Sequence, residues 1–135
     1  MLAAGTITLT PSADFTGGAS FVCTVSDGVE PSPIAVAVVV SEVNDAPIAV
    51  DDTFTTALAT PITIKQAQLL ANDTDVDTAP LDATAVSSAT NGTIVDNGNN
   101  TYTLTPTLAG TATFQDTLSD GIVNDTGLVT ITVTS

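Results

Sequence analysis

The chain has 135 residues, with fifteen Asp and Glu against a single base, Lys65, and a formal net charge of -14. Without a cationic surface to neutralise phosphate, nucleic acid is excluded as a partner, and an anionic membrane surface is repelled. Hydrophobic content of 43% excludes intrinsic disorder, and Thr, Val and Ile, 49 of the 135 residues, favour strands over helices.

Residues 1–5 carry no basic region and no long apolar run, so they do not read as a signal peptide, and a secretion address is expected outside this sequence. No segment approaches membrane-spanning length. Strands are expected at 6–10, 20–25 and 34–41. Cys23 is the only cysteine, so no intrachain disulfide can form, and its place in an alternating strand predicts a buried small hydrophobe. A link follows at 42–47, Glu-Val-Asn-Asp-Ala-Pro. Beyond it, alternation and β-branched runs bounded by Gly, Asn, Asp and Pro predict strands at 49–56, 61–64, 83–89, 92–95, 101–105, 112–118 and 128–134. A single helical turn is expected at 66–70, an Asn/Gly hairpin loop at 96–100 and a turn at Asp120-Gly121. The expected core is Ile62, Ile64, Leu69, Val86, Ile94, Tyr102, Leu104, Phe114, Leu118, Val129, Ile131 and Val133.

The sequence also repeats itself. Thr8-Leu9-Thr10-Pro11 recurs as Thr103-Leu104-Thr105-Pro106, an offset of 105 − 10 = 95. Ser26-Asp27-Gly28 recurs as Ser119-Asp120-Gly121, an offset of 120 − 27 = 93. Residues 1–41 therefore read as the C-terminal part of one repeat, 42–47 as a cation-binding link, and 48–135 as nearly one full repeat. Seven short strands at this spacing predict an all-β fold, an immunoglobulin-like antiparallel sandwich. Three strands in 1–41 cannot bury one apolar face alone. Strands of another chain, more of the same chain or the full repeat would have to cover Ile7, Leu9, Phe21, Cys23, Val36 and Val38.

In such a sandwich the incoming link, the B–C loop and the F–G loop share one end. Those segments hold Glu42, Asn44 and Asp45; Asp73, Asp75 and Asp77; and Asp120. Carboxylates gathered there suit Ca²⁺, which takes six to eight oxygen ligands in flexible geometry; solvated loop acids are the plain alternative. Asp51 and Asp52 read equally as ligands or as a polar strand edge. Asp27 reads as a turn residue.

Asn44-Asp45-Ala46-Pro47, Ala49-Val50-Asp51-Asp52, the 70–77 run Leu-Ala-Asn-Asp-Thr-Asp-Val-Asp, and Ser119-Asp120-Gly121 together resemble the bacterial cadherin-like (VCBS-like) tandem repeats of large secreted adhesins and biofilm proteins. The resemblance implies an extracellular, cell-surface module with Ca²⁺ ligands at Asn44, Asp45, Asp75 and Asp77. One departure is Thr78-Ala79-Pro80, where the family loop continues with Gly-Asp.

No catalytic role is expected. The chain has no His, and no nucleophile has a base beside it. The expected function is a spacer or stalk module of a repetitive adhesin or surface fibre, stiffened by Ca²⁺ at the junction between repeats, with neighbouring repeats of the same or another chain as partners. Two alternatives stand beside it. One is a filament subunit that polymerises by strand complementation through residues 1–41; the other is a carbohydrate-binding sandwich.

Overall fold

The computed structural model describes residues 5–77 and 80–135. The chain divides into two compact units, Met1–Val43 and Asn44–Ser135, so the boundary falls inside the link.

The first unit is a hairpin of β1 (Gly17–Ser26) and β2 (Pro31–Val40), antiparallel, with Phe21 opposite Val36. Its turn is closed by Asp27, whose Oδ1 accepts from the Val29 amide at 3.0 Å. Gly28 follows at φ 98°, a conformation that L side chains rarely adopt. Ala19, Phe21 and Cys23 alternate with exposed neighbours on one side of β1, and Val36, Val38 and Val40 do so on β2. All six are only half-buried, which corrects the expectation of a buried Cys23. A second correction concerns residues 6–10, which form no strand. Their counterparts at 101–105 lie in a strand held on both sides by others. Residues 1–41 contain no counterparts of those flanking strands, so no ladder forms.

The second unit contains β3 (Asp52–Ala57), β4 (Ile62–Lys65), α1 (Gln66–Leu69), β5 (Asp82–Thr90), β6 (Gly92–Asp96), β7 (Thr101–Pro106), β8 (Gly110–Ser119) and β9 (Asn124–Thr134). They form two sheets, β3-β9-β8-β5 and β4-β7-β6. β3 runs parallel to β9, and the other pairings are antiparallel. This is the expected all-β sandwich. The strict alternation of β9 sends Val129, Ile131 and Val133 inward at 3% exposure or less, while Leu128, Thr132 and Thr134 stay outside. Phe114 and Ala112 from β8 meet Tyr102 and Leu104 from β7 in the same cluster. Ile62, Val86 and Ile94, expected inside, pack half-buried at its margin, and Ala83 joins the core instead. The Tyr102 hydroxyl donates to the Ala83 carbonyl at 2.7 Å, tying one sheet to the other.

The internal repeat is structural as well as sequential. Phe21 faces Val36 and Phe114 faces Val129, both shifted by 93 (114 − 21, 129 − 36). Side chains half-buried on β1 and β2 therefore occupy the register of side chains fully buried on β8 and β9.

Candidate metal centre

Backbone bonds in the second unit bring its first residues to the 72–77 loop. Ile48 and Thr74 exchange amide-to-carbonyl hydrogen bonds of 2.8 and 3.2 Å, and Pro47 is buried. The acids of that loop then part company. Asp77 Oδ2 accepts from the Asp45 amide at 2.6 Å. Asp73 Oδ1 turns the other way and accepts from the Val50 amide at 2.8 Å. Asp75 Oδ1 accepts from the Asp77 amide at 2.7 Å, an Asx-type turn that compacts the loop.

The β8–β9 turn closes the other side. Asp120 Oδ1 accepts from both the Ile122 and Val123 amides at 2.7 Å. Its Oδ2 accepts from Asn44 Nδ2 at 2.7 Å. The Val123 amide, the Asn44 side chain and the Ile122 amide hold the Asp120 carboxyl below its usual range. Asn44 Nδ2 also reaches the Asp45 carbonyl at 2.8 Å.

Among the expected ligands, Asn44, Asp45, Asp75, Asp77 and Asp120 thus belong to one hydrogen-bonded group. Asp73 is joined to the segment ahead of β3. Glu42 belongs to the first unit and is exposed. Thr78 and Ala79, where the loop departs from the family pattern, lie outside the described residues.

The donor set fits a hard cation in one specific respect. Among the described residues, Asp73 Oδ2 and Asp75 Oδ2 are buried and have no hydrogen-bond partner, and buried carboxylate oxygens are rarely left so. Among the described residues, however, no three Asp, Glu or Cys side chains already close on one point as a metal site requires. A cation would have to draw them together.

Two acids without a role in the sequence reading complete the picture. Asp125 Oδ2 accepts from the Ala49 amide at 2.9 Å, which holds its carboxyl low. Asp116 is 3% exposed, and burial pushes its carboxyl up, with the charges of Asp73 and Asp51 adding to the effect. A signal for Asp116 was present in the sequence: it occupies an inward slot of the alternation Ala112, Phe114, Asp116, Leu118. A charge there is costly unless it is paired or protonated.

Residues 43–134 match the model of the cadherin-like domain. The chain belongs to the cadherin-like domain family. No curated protein matches the chain. Among solved structures, it is similar to the endo-fucoidan hydrolase MfFcnA4 of glycoside hydrolase family 107, at 20% identity and a TM-score of 0.44, over 93% of this chain and 20% of that one. The endo-fucoidan hydrolase MfFcnA9 of the same family gives 19% identity and a TM-score of 0.36, over 92% and 23%. This cadherin-like chain spans about a fifth of the length of those hydrolases. Among the described residues, no helix is long and apolar enough to cross a membrane.

Proposed function

We propose that this cadherin-like chain is a structural spacer of a repetitive extracellular adhesin or surface fibre, without catalytic activity, and that Ca²⁺ at the Asn44 end of the second unit stiffens it. The observation that carries this reading is the double latch on the incoming chain. Asp45 is bound to Asp77 and Asn44 to Asp120, so the direction of the chain at that point depends on carboxylates from two loops. Those carboxylates repel one another unless a cation lies among them. Asp45, Asp75, Asp77 and Asp120 would supply hard oxygen ligands, and Asn44 would turn its amide oxygen inward. The ion would supply charge neutralisation and a fixed geometry.

Melting of the protein in Ca²⁺ and in chelator tests the reading. A ligand that binds only the folded form stabilises it by about 2.7 kcal/mol at a hundredfold excess over Kd, so the two curves should differ by several degrees. Asp75→Ala with Asp77→Ala should abolish the difference. Coincident curves for the unmodified protein reject the site.

A sugar-stacking platform has little to build on. Tyr102 and Phe114 are buried, Phe21 and Phe54 half-buried, and Phe15 is 40% exposed. The register match of β1–β2 with β8–β9 favours a different second reading, strand complementation. In the second unit β9 accepts β3 in parallel, with Asp52 opposite Val129. The equivalent edge of β2 would take a parallel strand with its first residue opposite Val36. Covering four of the half-buried side chains on this hairpin is worth at most about 6–12 kcal/mol. Sedimentation decides it: assemblies that disappear when residues 1–41 are deleted support complementation, and a monomer with protected β1 amides rejects it.

A further inference from the structure

The dipeptide Asn-Gly occurs twice, as Asn91-Gly92 and Asn97-Gly98, on either side of β6. Such a pair is open to attack by the backbone on its own side chain, because glycine puts no Cβ in the way and turns freely. In an unfolded chain the two pairs share the same reacting groups. The fold treats them differently.

Asn91 is clamped at both ends of its carboxamide. Its Nδ2 donates to the Leu108 and Thr111 carbonyls at 2.9 and 3.3 Å. Its Oδ1 accepts from the Thr107 hydroxyl at 3.1 Å and from the Leu108 amide at 3.0 Å. The Asn91 backbone carbonyl accepts from the Thr107 amide at 3.2 Å. Gly92 stands opposite Pro106 in the ladder, with the Thr105 carbonyl oxygen 2.7 Å from where a Cβ would be. Turning the Gly92 nitrogen onto the Asn91 carboxamide would break these bonds and press the backbone into β7.

Asn97 and Gly98 lie exposed in the loop between β6 and β7. The Asn97 carboxamide is held through its nitrogen, which donates to the Thr101 and Thr103 hydroxyls at 2.8 and 2.9 Å. The Gly98 amide donates to Oδ1 of the exposed Asp96 at 2.8 Å, so its bond is to a loop side chain and not to the partner strand. We infer that Asn97 is a self-modification site of this chain, converted through a cyclic succinimide to aspartate or isoaspartate, and that Asn91 is spared. The Gly98 nitrogen, its proton taken up by solvent base, bonds to Asn97 Cγ. The Cγ–Nδ2 bond breaks, and Nδ2 leaves as ammonia with a proton from solvent. Water then opens the ring at either carbonyl. One water is consumed and one ammonia released, with nothing oxidised or reduced. The product places a new carboxylate beside Asp96 and removes the donor to Thr101 and Thr103. In the isoaspartate form it also lengthens the backbone by one methylene at the hairpin tip.

Ageing of the full chain in mildly alkaline buffer tests this, with each asparagine followed by peptide mass spectrometry and isoaspartate located by electron-transfer fragmentation. In the folded protein Asn97 should gain one mass unit at least about tenfold faster than Asn91, a barrier difference of about 1.4 kcal/mol. In guanidinium chloride the two rates should converge, since the fold is what separates them. Asn97→Gln, whose longer side chain does not close the five-membered ring, should remove the fast product. Folded protein in which Asn91 reacts as fast as Asn97 overturns the inference. So does an Asn97 that stays intact over a period that modifies both pairs in guanidinium chloride. A rate ratio unchanged by the denaturant would assign the preference to sequence alone and overturn the structural account. A fast product that persists in Asn97→Gln would place the reaction elsewhere.

Discussion

Asn44 and Asp120 are 76 residues apart in sequence, yet Asn44 Nδ2 donates to Asp120 Oδ2 across 2.7 Å. This bond fastens the first residue of the second unit to the turn between its last two strands. Removing it with Asn44→Ala should lower the melting temperature in chelator, because the amide then leaves a carboxylate beside other acids with one donor fewer. Asn44→Asp should lower it further in chelator and recover much of the loss in Ca²⁺, since the added charge repels Asp120 without an ion and ligates with one.

Tyr102→Phe deletes the buried hydrogen bond to the Ala83 carbonyl. A loss of about 1–2 kcal/mol is expected. Urea unfolding should register it as a lower midpoint with an unchanged slope.

Gly92→Ala should be more harmful than its size suggests. A Cβ there would stand 2.7 Å from the Thr105 carbonyl oxygen and 3.3 Å from Pro106 Cα, both backbone atoms that cannot swing away. The β6–β7 pair must separate, at about 1–3 kcal/mol. Chemical denaturation measures the loss, and amide exchange in β6 should rise with it.

The pH dependence in chelator should have an unusual sign. Asp52, Asp73 and Asp116 are raised by burial and by neighbouring carboxylates, Asp52 to about 6. The folded state then binds more protons than the unfolded one, so stability falls as pH rises through that window and grows as pH drops from about 7 toward 4. Below the ordinary value of 3.8 the trend reverses, because Asp120 and Asp125 are held low by their hydrogen bonds and lose that stabilisation on protonation. Melting in chelator from pH 2.5 to 7.5, with Asp52→Asn flattening the upper limb, checks both signs.

Much of the fold was legible because the strands of the second unit are amphipathic with period two. Val129, Ile131 and Val133 against Leu128, Thr132 and Thr134 leave no doubt about which face is inside. The repeat carried the rest, since Phe21–Val36 and Phe114–Val129 share one register. Residues 6–10 read wrongly because alternation reports a face and not a partner. Their β-branched pattern is that of 101–105, but a strand also needs neighbours to bond. The meeting of link, loop and turn followed from sandwich topology. What escaped was the split within the loop, where Asp73 bonds Val50 and Asp77 bonds Asp45. Two residues of spacing between acids cannot reveal which stretch of backbone each will find. Asp116 was legible in principle, as a charge in an inward slot, and its repeat counterpart Cys23 (116 − 23 = 93) hid the pattern by carrying no charge.

The most direct measurement is a Ca²⁺ titration of the ¹⁵N-labelled chain followed by its amide resonances. The account predicts that the largest shifts fall at Asn44, Asp45, Asp75, Asp77 and Asp120, saturate together, and leave the β4-β7-β6 sheet unmoved. Small shifts spread over acids throughout the chain, including the exposed Asp14 and Asp96, would mean diffuse counterion screening and contradict it.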